Sequence, residues 1–338
     1  MRIFAAVTAL LIFVAGLGTE ACRAATTLRL TYDRPIDATA TPFLLAAGKG
    51  FFSGEGLSVT TEVARSTRDA ISRVAAGDTD MAIADINALA RFRDADNGAP
   101  LKAVFVLFNH APYAVIARKS RGVNALADVQ GRILGVPDGD LSIPFWPAVA
   151  KLNGIKPEKV KVEKIGLAVR EPMLSAGQVD AVTGFSYLAP LNMRDRGIPD
   201  SDLAVFRLSD YGSEAYGAAL IVNPKFAAAQ PDAVRGFIRA VIAGLKLTAE
   251  DPERAINDVL TQIDSGNREL EFERLRLVLR DNLVTRDVKR DGFGSIDAKR
   301  FARALAQLGE DYKFKKTLTA ADLFDPSFLP PPAARKLD

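Results

Sequence analysis

Ala76-Gly77-Asp78-Thr79-Asp80-Met81-Ala82 and Ala176-Gly177-Gln178-Val179-Asp180-Ala181-Val182 are two versions of one segment. Each follows a helical stretch, residues 67–76 or 170–177, and leads into a strand, residues 80–84 or 181–183. In the first helix Ala70, Ile71, Val74 and Ala75 share one face, and Gly77 suits a left-handed stop. Each version reads as part of a βαβ unit whose strand starts after Asp80 or Asp180. The fold class predicted is α/β, with two lobes, each a mostly parallel sheet flanked by helices. A ligand cleft then opens between the lobes, beyond the carboxyl ends of the strands.

Working outward, residues 28–32, 57–63 and 102–108 read as further strands of the first lobe, with a helix over 41–49 stopped by Gly50. In the second lobe, residues 113–118, 133–136 and 160–165 read as strands. A short helical turn covers 125–129, and a helix over 144–153 ends at Gly154. After a strand at 216–222 the chain turns helical, over 231–248, 252–263, 270–282 and 297–308, and these helices are expected to pack back on the first lobe. The strands 113–118 and 216–222 are expected to be the two crossings between lobes, and hence the hinge. Lobe 1 is then 25–112 plus 217–338, and lobe 2 is 113–216. The proline-rich tail at 326–332 is expected to lie on the surface or fray.

The chain has 338 residues with 44 basic and 41 acidic side chains, and a balance of +3 gives no reason to expect nucleic-acid binding. One Cys and one His cannot supply a structural zinc site, which takes about four such ligands. Residues 1–24 read as an export signal. Arg2 precedes an apolar run over 3–17, and Cys22 and Ala24 are the small residues at the cut. The run is short for a bilayer span, which needs about 20 residues. A buried N-terminal helix and a lipid anchor on Cys22 are the alternatives. Cleavage after Ala24 leaves a mature chain without cysteine, expected in the periplasm as a monomer and held together by core burial alone.

Catalytic motifs are sparse. His110 must serve any His-dependent chemistry, Gly184-Phe185-Ser186-Tyr187-Leu188 lacks the closing glycine of a nucleophile elbow, and there is no phosphate loop. The calcium-like run 287–292 places Lys289 where a carboxylate should sit. No catalytic residue, metal or cofactor is expected, and the chain is expected not to be an enzyme.

Candidate ligand-binding residues fall at strand ends: Arg34, Asp37, Ser66, Thr67, Asp85, Asn87, Asn109, Tyr113, Asp138, Ser142, Trp146 and Tyr187. Ser66 and Thr67 precede a helix whose free N–H groups could hold a ligand oxygen. Taken singly, each of these residues could instead be a cap, a turn residue or a core aromatic. Asp37, Asp85, Asp138 and Asp140 outnumber Arg34, while Tyr113, Phe145, Trp146 and Tyr187 offer stacking faces. That set suits a planar heterocycle with ring N–H or amino donors better than a small anion. Arg34, Ser66, Thr67 and Ser142 keep an anion such as a sulfonate or nitrate as the alternative.

The segment 46–59, Ala-Ala-Gly-Lys-Gly-Phe-Phe-Ser-Gly-Glu-Gly-Leu-Ser-Val, resembles one in solute-binding proteins of the NMT1/THI5-like, nitrate/sulfonate/taurine type. So do 76–82, Leu-Ala-Asp-Val-Gln-Gly-Arg-Ile-Leu-Gly-Val at 126–136, Gly-Phe-Gly-Ser-Ile-Asp at 292–297 and Leu329-Pro330. The resemblance implies two α/β lobes closing on a small molecule, delivered to an ABC permease and its ATPase in the inner membrane. This chain has Ala40 where many members have His, and Leu44 where Tyr is common. Its 138–142 loop lacks the small-residue character of the sulfonate binders. Some pyrimidine-synthesis enzymes also resemble the family, and a ligand sensor could use the same scaffold.

Overall fold

Both Ala-Gly segments end their helices the same way. Gly77 (φ +85°) and Gly177 (φ +74°) take the left-handed conformation that closes a helix at low steric cost. Three residues on, Asp80 accepts the backbone N–H of Arg29 and Asp180 that of Ile133 (both 2.8 Å). Each aspartate thereby ties the central strand of its sheet, which it precedes, to the parallel strand beside it. The computed structural model describes residues 25–95 and 98–337. The proposed signal segment, with Cys22, lies outside the described residues.

Ten strands form two sheets: β1 Thr26–Tyr32, β2 Leu57–Val63, β3 Met81–Asp85, β4 Lys102–Val106, β5 Tyr113–Arg118, β6 Ile133–Pro137, β7 Lys161–Ile165, β8 Ala181–Phe185, β9 Leu203–Arg207 and β10 Ala218–Val222. The strand orders are β2-β1-β3-β10-β4 and β7-β6-β8-β5-β9. In each, β1–β3 or β6–β8 run parallel and one inserted strand, β10 or β5, runs antiparallel to both neighbours. The sheets are therefore mixed, and they share one topology.

One expectation is corrected. The strands 113–118 and 216–222 are not the crossings. Each is built into one sheet, and the chain passes between sheets in the connectors 107–112 and 208–217. The tail lies on the surface, one of the two expected outcomes, with Ser327, Pro331 and Pro332 exposed, and it is tied down. Phe324 bridges to Ala103, Phe328 is buried, and the Arg335 guanidinium donates to the carbonyl oxygens of Phe293 and Pro330. The calcium-like run lies within the helix Arg286–Asp291 and its Gly292 cap. The sequence reading also passed over β9 and the helices Ile86–Asp94 and Ala189–Arg194.

The late helices pack on lobe 1 as expected. Phe237 of Pro231–Glu250 stacks on Phe52 with ring centres 4.9 Å apart. A Cβ at Gly244 would come within 2.0 Å of the Pro42 carbonyl oxygen, so only glycine permits this helix crossing. The helix Ala298–Tyr312 departs from that pattern. Its Phe301, Leu305 and Leu308 join one apolar cluster with Ala84 and Leu89 of lobe 1 and with Phe145, Trp146 and Val149 of lobe 2.

Candidate functional site

The cleft-facing ends of β1, β3, β5 and β8 bring two sets of side chains together across the lobes. In the first, Arg34 follows β1 and is gripped by its neighbour Asp33: Nε lies 2.7 Å from Oδ1 and Nη2 2.9 Å from Oδ2. Thr67 donates its hydroxyl to Asp33 Oδ2 at 2.7 Å. From the other lobe, Tyr187 Oη accepts from Arg34 Nη1 at 3.2 Å, and the Phe185 ring lies 4.9 Å beneath the guanidinium carbon. Burial disfavours the charge on Arg34, but the Asp33 carboxylate outweighs that and raises its pKa well above the ordinary value. Burial likewise raises the pKa of Tyr187. A cavity of about 20 Å³, room for one water, lies against Tyr32, Asp33, Arg34, Ile83 and Phe108.

In the second set Tyr113, the first residue of β5, donates to Asp85 Oδ2 at 2.6 Å. Asn87 Nδ2 donates to Tyr113 Oη at 3.1 Å and to the Tyr216 carbonyl at 2.6 Å. Asp85 also caps the helix Ile86–Asp94 by accepting from the N–H groups of Asn87 and Ala88. All three side chains are buried. Burial raises the Asp85 pKa, offset in part by the Tyr113 hydrogen bond, and burial with the Asp85 charge raises that of Tyr113. Asn87 Oδ1 has no hydrogen-bond partner. Rings join the two sets: Phe185 lies 6.3 Å from Tyr113 and 5.7 Å from Tyr187, and Tyr113 lies 5.6 Å from Phe145.

The other candidates have local work. Asp37 caps a turn through the Thr39 N–H, while lying close enough for its charge to reach Arg34 and Tyr187. Ser66 caps the helix Thr67–Ala76. Asp140 accepts from the Ser142 N–H and hydroxyl, which ties up Ser142, and Asp138 is exposed beside it. Trp146 is buried in the cluster shared by both lobes, its indole nitrogen unpartnered. Asn109 belongs to the first crossing, where its Oδ1 accepts from Thr285 and Arg300. His110 lies next to it, its backbone paired with Asn282.

Asp33 and Phe185 are the residues the sequence reading missed. The strand-end rule that selected Arg34 covers Asp33 equally. Phe185 was hidden because the strand was expected to stop at 183. Among the described residues no cluster of three or more His, Cys, Asp or Glu could hold a metal ion, and no helix is long and apolar enough to cross a membrane.

Residues 37–255 match the family profile described as NMT1/THI5 like. A riboflavin-binding protein, RibY, of Chloroflexus aurantiacus is 26% identical over 64% of this chain, and the match spans 60% of that protein's length. A 4-amino-5-hydroxymethyl-2-methylpyrimidine phosphate synthase of Legionella pneumophila is 27% identical over 64% of this chain and 67% of its own. A formylaminopyrimidine-binding protein of Halalkalibacterium halodurans is 25% identical over 88% of this chain and 89% of its own. In three dimensions the periplasmic aliphatic sulphonate binding protein SsuA of Escherichia coli superposes with a TM-score of 0.70 at 13% identity, covering 90% of this chain and 94% of that one. The fold is thus that of two-lobed binding proteins, and with the profile spanning well over half its length the chain belongs to the NMT1/THI5-like family.

Proposed function

We propose that this chain is the exported solute-binding component of an ABC importer, and that its interlobe cleft captures an aminopyrimidine-like nitrogenous heterocycle. The observation that carries the ligand class is the state of Arg34. The cation that favoured an anion is already neutralised by a two-point pair with Asp33, and its face is spent on Phe185. A nitrate or sulfonate would have to compete with a carboxylate 2.7 Å away. What the cleft has left is aromatic rings and oxygen acceptors, which suit a flat ring bearing amino or N–H donors. The pyrimidine and flavin named in the binding relatives are rings of that kind, and 64–88% of this chain aligns with those proteins.

The synthase relatives favour a second reading, an enzyme on this scaffold. Against it, the single His lies on the crossing segment, tied to Asn282 rather than to the Arg34 and Asp85 sets.

Calorimetry against 4-amino-5-hydroxymethyl-2-methylpyrimidine, riboflavin, ethanesulfonate and nitrate tests the reading. Binding of the pyrimidine or flavin alone supports it. Tight ethanesulfonate or nitrate binding overturns the ligand class, and turnover of a bound pyrimidine overturns the transport role. Export predicts that the periplasmic fraction contains a chain cut after Ala24. An intact mass of the full 338 residues in the cytoplasm would contradict that.

A further inference from the structure

The repeat runs at an offset of 100 residues, which sets lobe 2 beside lobe 1 position by position. Ala70 of the first helix aligns with Arg170, and Ala84 of β3 with Gly184 of β8. In lobe 1 both alanines are fully buried, small packing between helix and sheet. At the same place lobe 2 buries a guanidinium, since Arg170 is only 5% exposed. A buried cation is costly and persists only when paired and hydrogen-bonded. The pairing here is one-sided. Nε and Nη2 both donate to Glu171 Oε1 (3.0 and 2.5 Å), and Asn192 steadies that same oxygen at 3.2 Å. Nη1 has no acceptor among the described residues.

Gly184 explains how Nη1 is accommodated. A Cβ there would lie 3.0 Å from Nη1 and 3.2 Å from the Ala189 Cβ, so any side chain larger than hydrogen crowds the guanidinium. Gly184 is also the residue before Phe185, whose ring carries Arg34 and faces Tyr113 and Tyr187. The free edge of Arg170 is therefore set near the carboxyl end of β8, on the sheet face opposite the Phe185 ring that bridges both lobes. Two nitrogens of a fixed guanidinium are anchored and the third is left as a pre-oriented donor.

Resting on the heterocycle reading, we propose that Arg170 Nη1 is a specificity-determining donor of lobe 2 that recognises an oxygen acceptor carried as a substituent on the ring. A hydroxymethyl, formyl or phosphate oxygen would each satisfy it, whereas the same ring bearing only methyl groups would cover the donor without pairing it, the arrangement that discriminates most strongly between analogues. Because Glu171 already balances the charge, a neutral oxygen suffices.

The experiment is a ratio: affinity for 4-amino-5-hydroxymethyl-2-methylpyrimidine against 4-amino-2,5-dimethylpyrimidine, by calorimetry. Wild type should prefer the oxygenated ring at least tenfold. Arg170→Met should reduce the preference to within about twofold by weakening only the oxygenated ligand. Gly184→Ala, which keeps the Arg170–Glu171 pair but crowds Nη1, should reduce the ratio part-way, and it stands in should Arg170→Met fail to fold. A wild type that binds both rings equally overturns the proposal. So does a folded Arg170→Met or Gly184→Ala protein that keeps the full ratio, since Arg170 is then packing alone. If wild type binds neither pyrimidine, the heterocycle reading itself falls and takes this proposal with it, an outcome separate from the other two.

Discussion

Lobes 1 and 2 have the same strand order and the same Ala-Gly-x-x-Asp hinge between helix and strand, yet they bury different chemistry. Lobe 1 is covered by a large apolar cluster that includes Phe43, Phe52, Phe237 and Leu245 from the helices on its outer face. The lobe 2 face under the helix Arg170–Ala176, equivalent to the lobe 1 face of Ala70, Val74 and Ala82, has a small cluster, centred on Ile116, Leu174, Val182 and Met193, and a buried Arg170–Glu171 pair. Five large apolar side chains are exposed on lobe 2 (Leu152, Val162, Leu167, Val169 and Val205) against Val63 on lobe 1. A conserved topology has thus been filled in two ways. Apolar burial scales with stabilisation, so lobe 1 is the anchor and lobe 2 the lighter body.

The sharpest way to break that contrast is a matched pair of truncations. Phe237→Ala removes a ring stacked in the lobe 1 core and should cost about 3–5 kcal/mol in urea unfolding. Leu174→Ala in lobe 2 should cost less, about 2–3 kcal/mol, because a smaller cluster surrounds it. Equal losses would mean that the two lobes share their stability evenly.

Asp85 gives a second, smaller test. Asp85→Asn weakens the helix cap and the Tyr113 hydrogen bond between lobes, and should cost about 1–3 kcal/mol near pH 7. Its pH signature has a defined sign. Burial raises the folded pKa, so between the unfolded value near 3.8 and that raised value the folded state holds more protons. Asp85 therefore makes stability fall as pH rises through that window and contributes no slope above it. Subtracting the Asp85→Asn profile from wild type should leave that downward slope. An upward one would show that Asp85 is stabilised as a carboxylate.

Much of this was legible in the sequence, and the exceptions have physical causes. Periodicity and glycine stops located β2, β5 and the helix Thr67–Ala76 to the residue. β9 was missed because its short run, Leu-Ala-Val-Phe-Arg, lies in a stretch without a clear helix before it, although it completes the sheet edge beside β5. The crossings were misplaced because an apolar run shows a strand but not which sheet takes it. Hydrogen-bond pairing decides that, and pairing is long-range. In the site, Arg34 and Asp85 were visible as residue types at strand ends. That Asp33 neutralises one and Tyr113 reaches the other depends on side chains converging from separate strands and lobes.

The ion pairs linking lobe 2 to the lobe 1 helices give a smaller effect. Arg207 of β9 pairs with Asp281 and Arg194 with Glu273, all partly exposed except Asp281. Arg280 still holds both Asp281 oxygens when Arg207 is removed, and exposed pairs contribute about 0–1 kcal/mol, which salt screens. Arg207→Gln should leave urea unfolding within about 1 kcal/mol of wild type while shifting small-angle scattering towards a larger radius at low salt. A large loss of global stability would instead assign Arg207 to the folding core, and lobe 2 would no longer be the lighter body.

The smallest effect belongs to His110, on the crossing that joins the lobes. It is the only histidine in the chain, so one imidazole resonance reports its titration without assignment. Burial disfavours the imidazolium, and the Arg300 guanidinium adds to that against weaker opposite pulls from Asp287 and Asp210, so its pKa lies below the ordinary 6.5. For a base lowered on folding, the unfolded chain binds the proton first as pH falls. Stability is therefore lost between 6.5 and the folded value, and is level below it, by about 1.4 kcal/mol for each unit of lowering. A proton NMR titration should place the midpoint below 6.5, and His110→Gln should flatten the loss. A midpoint at or above 6.5 would mean that the crossing is open to water and the lobes are not held together there, and the contrast between an anchored lobe and a lighter one would then have to rest on other contacts.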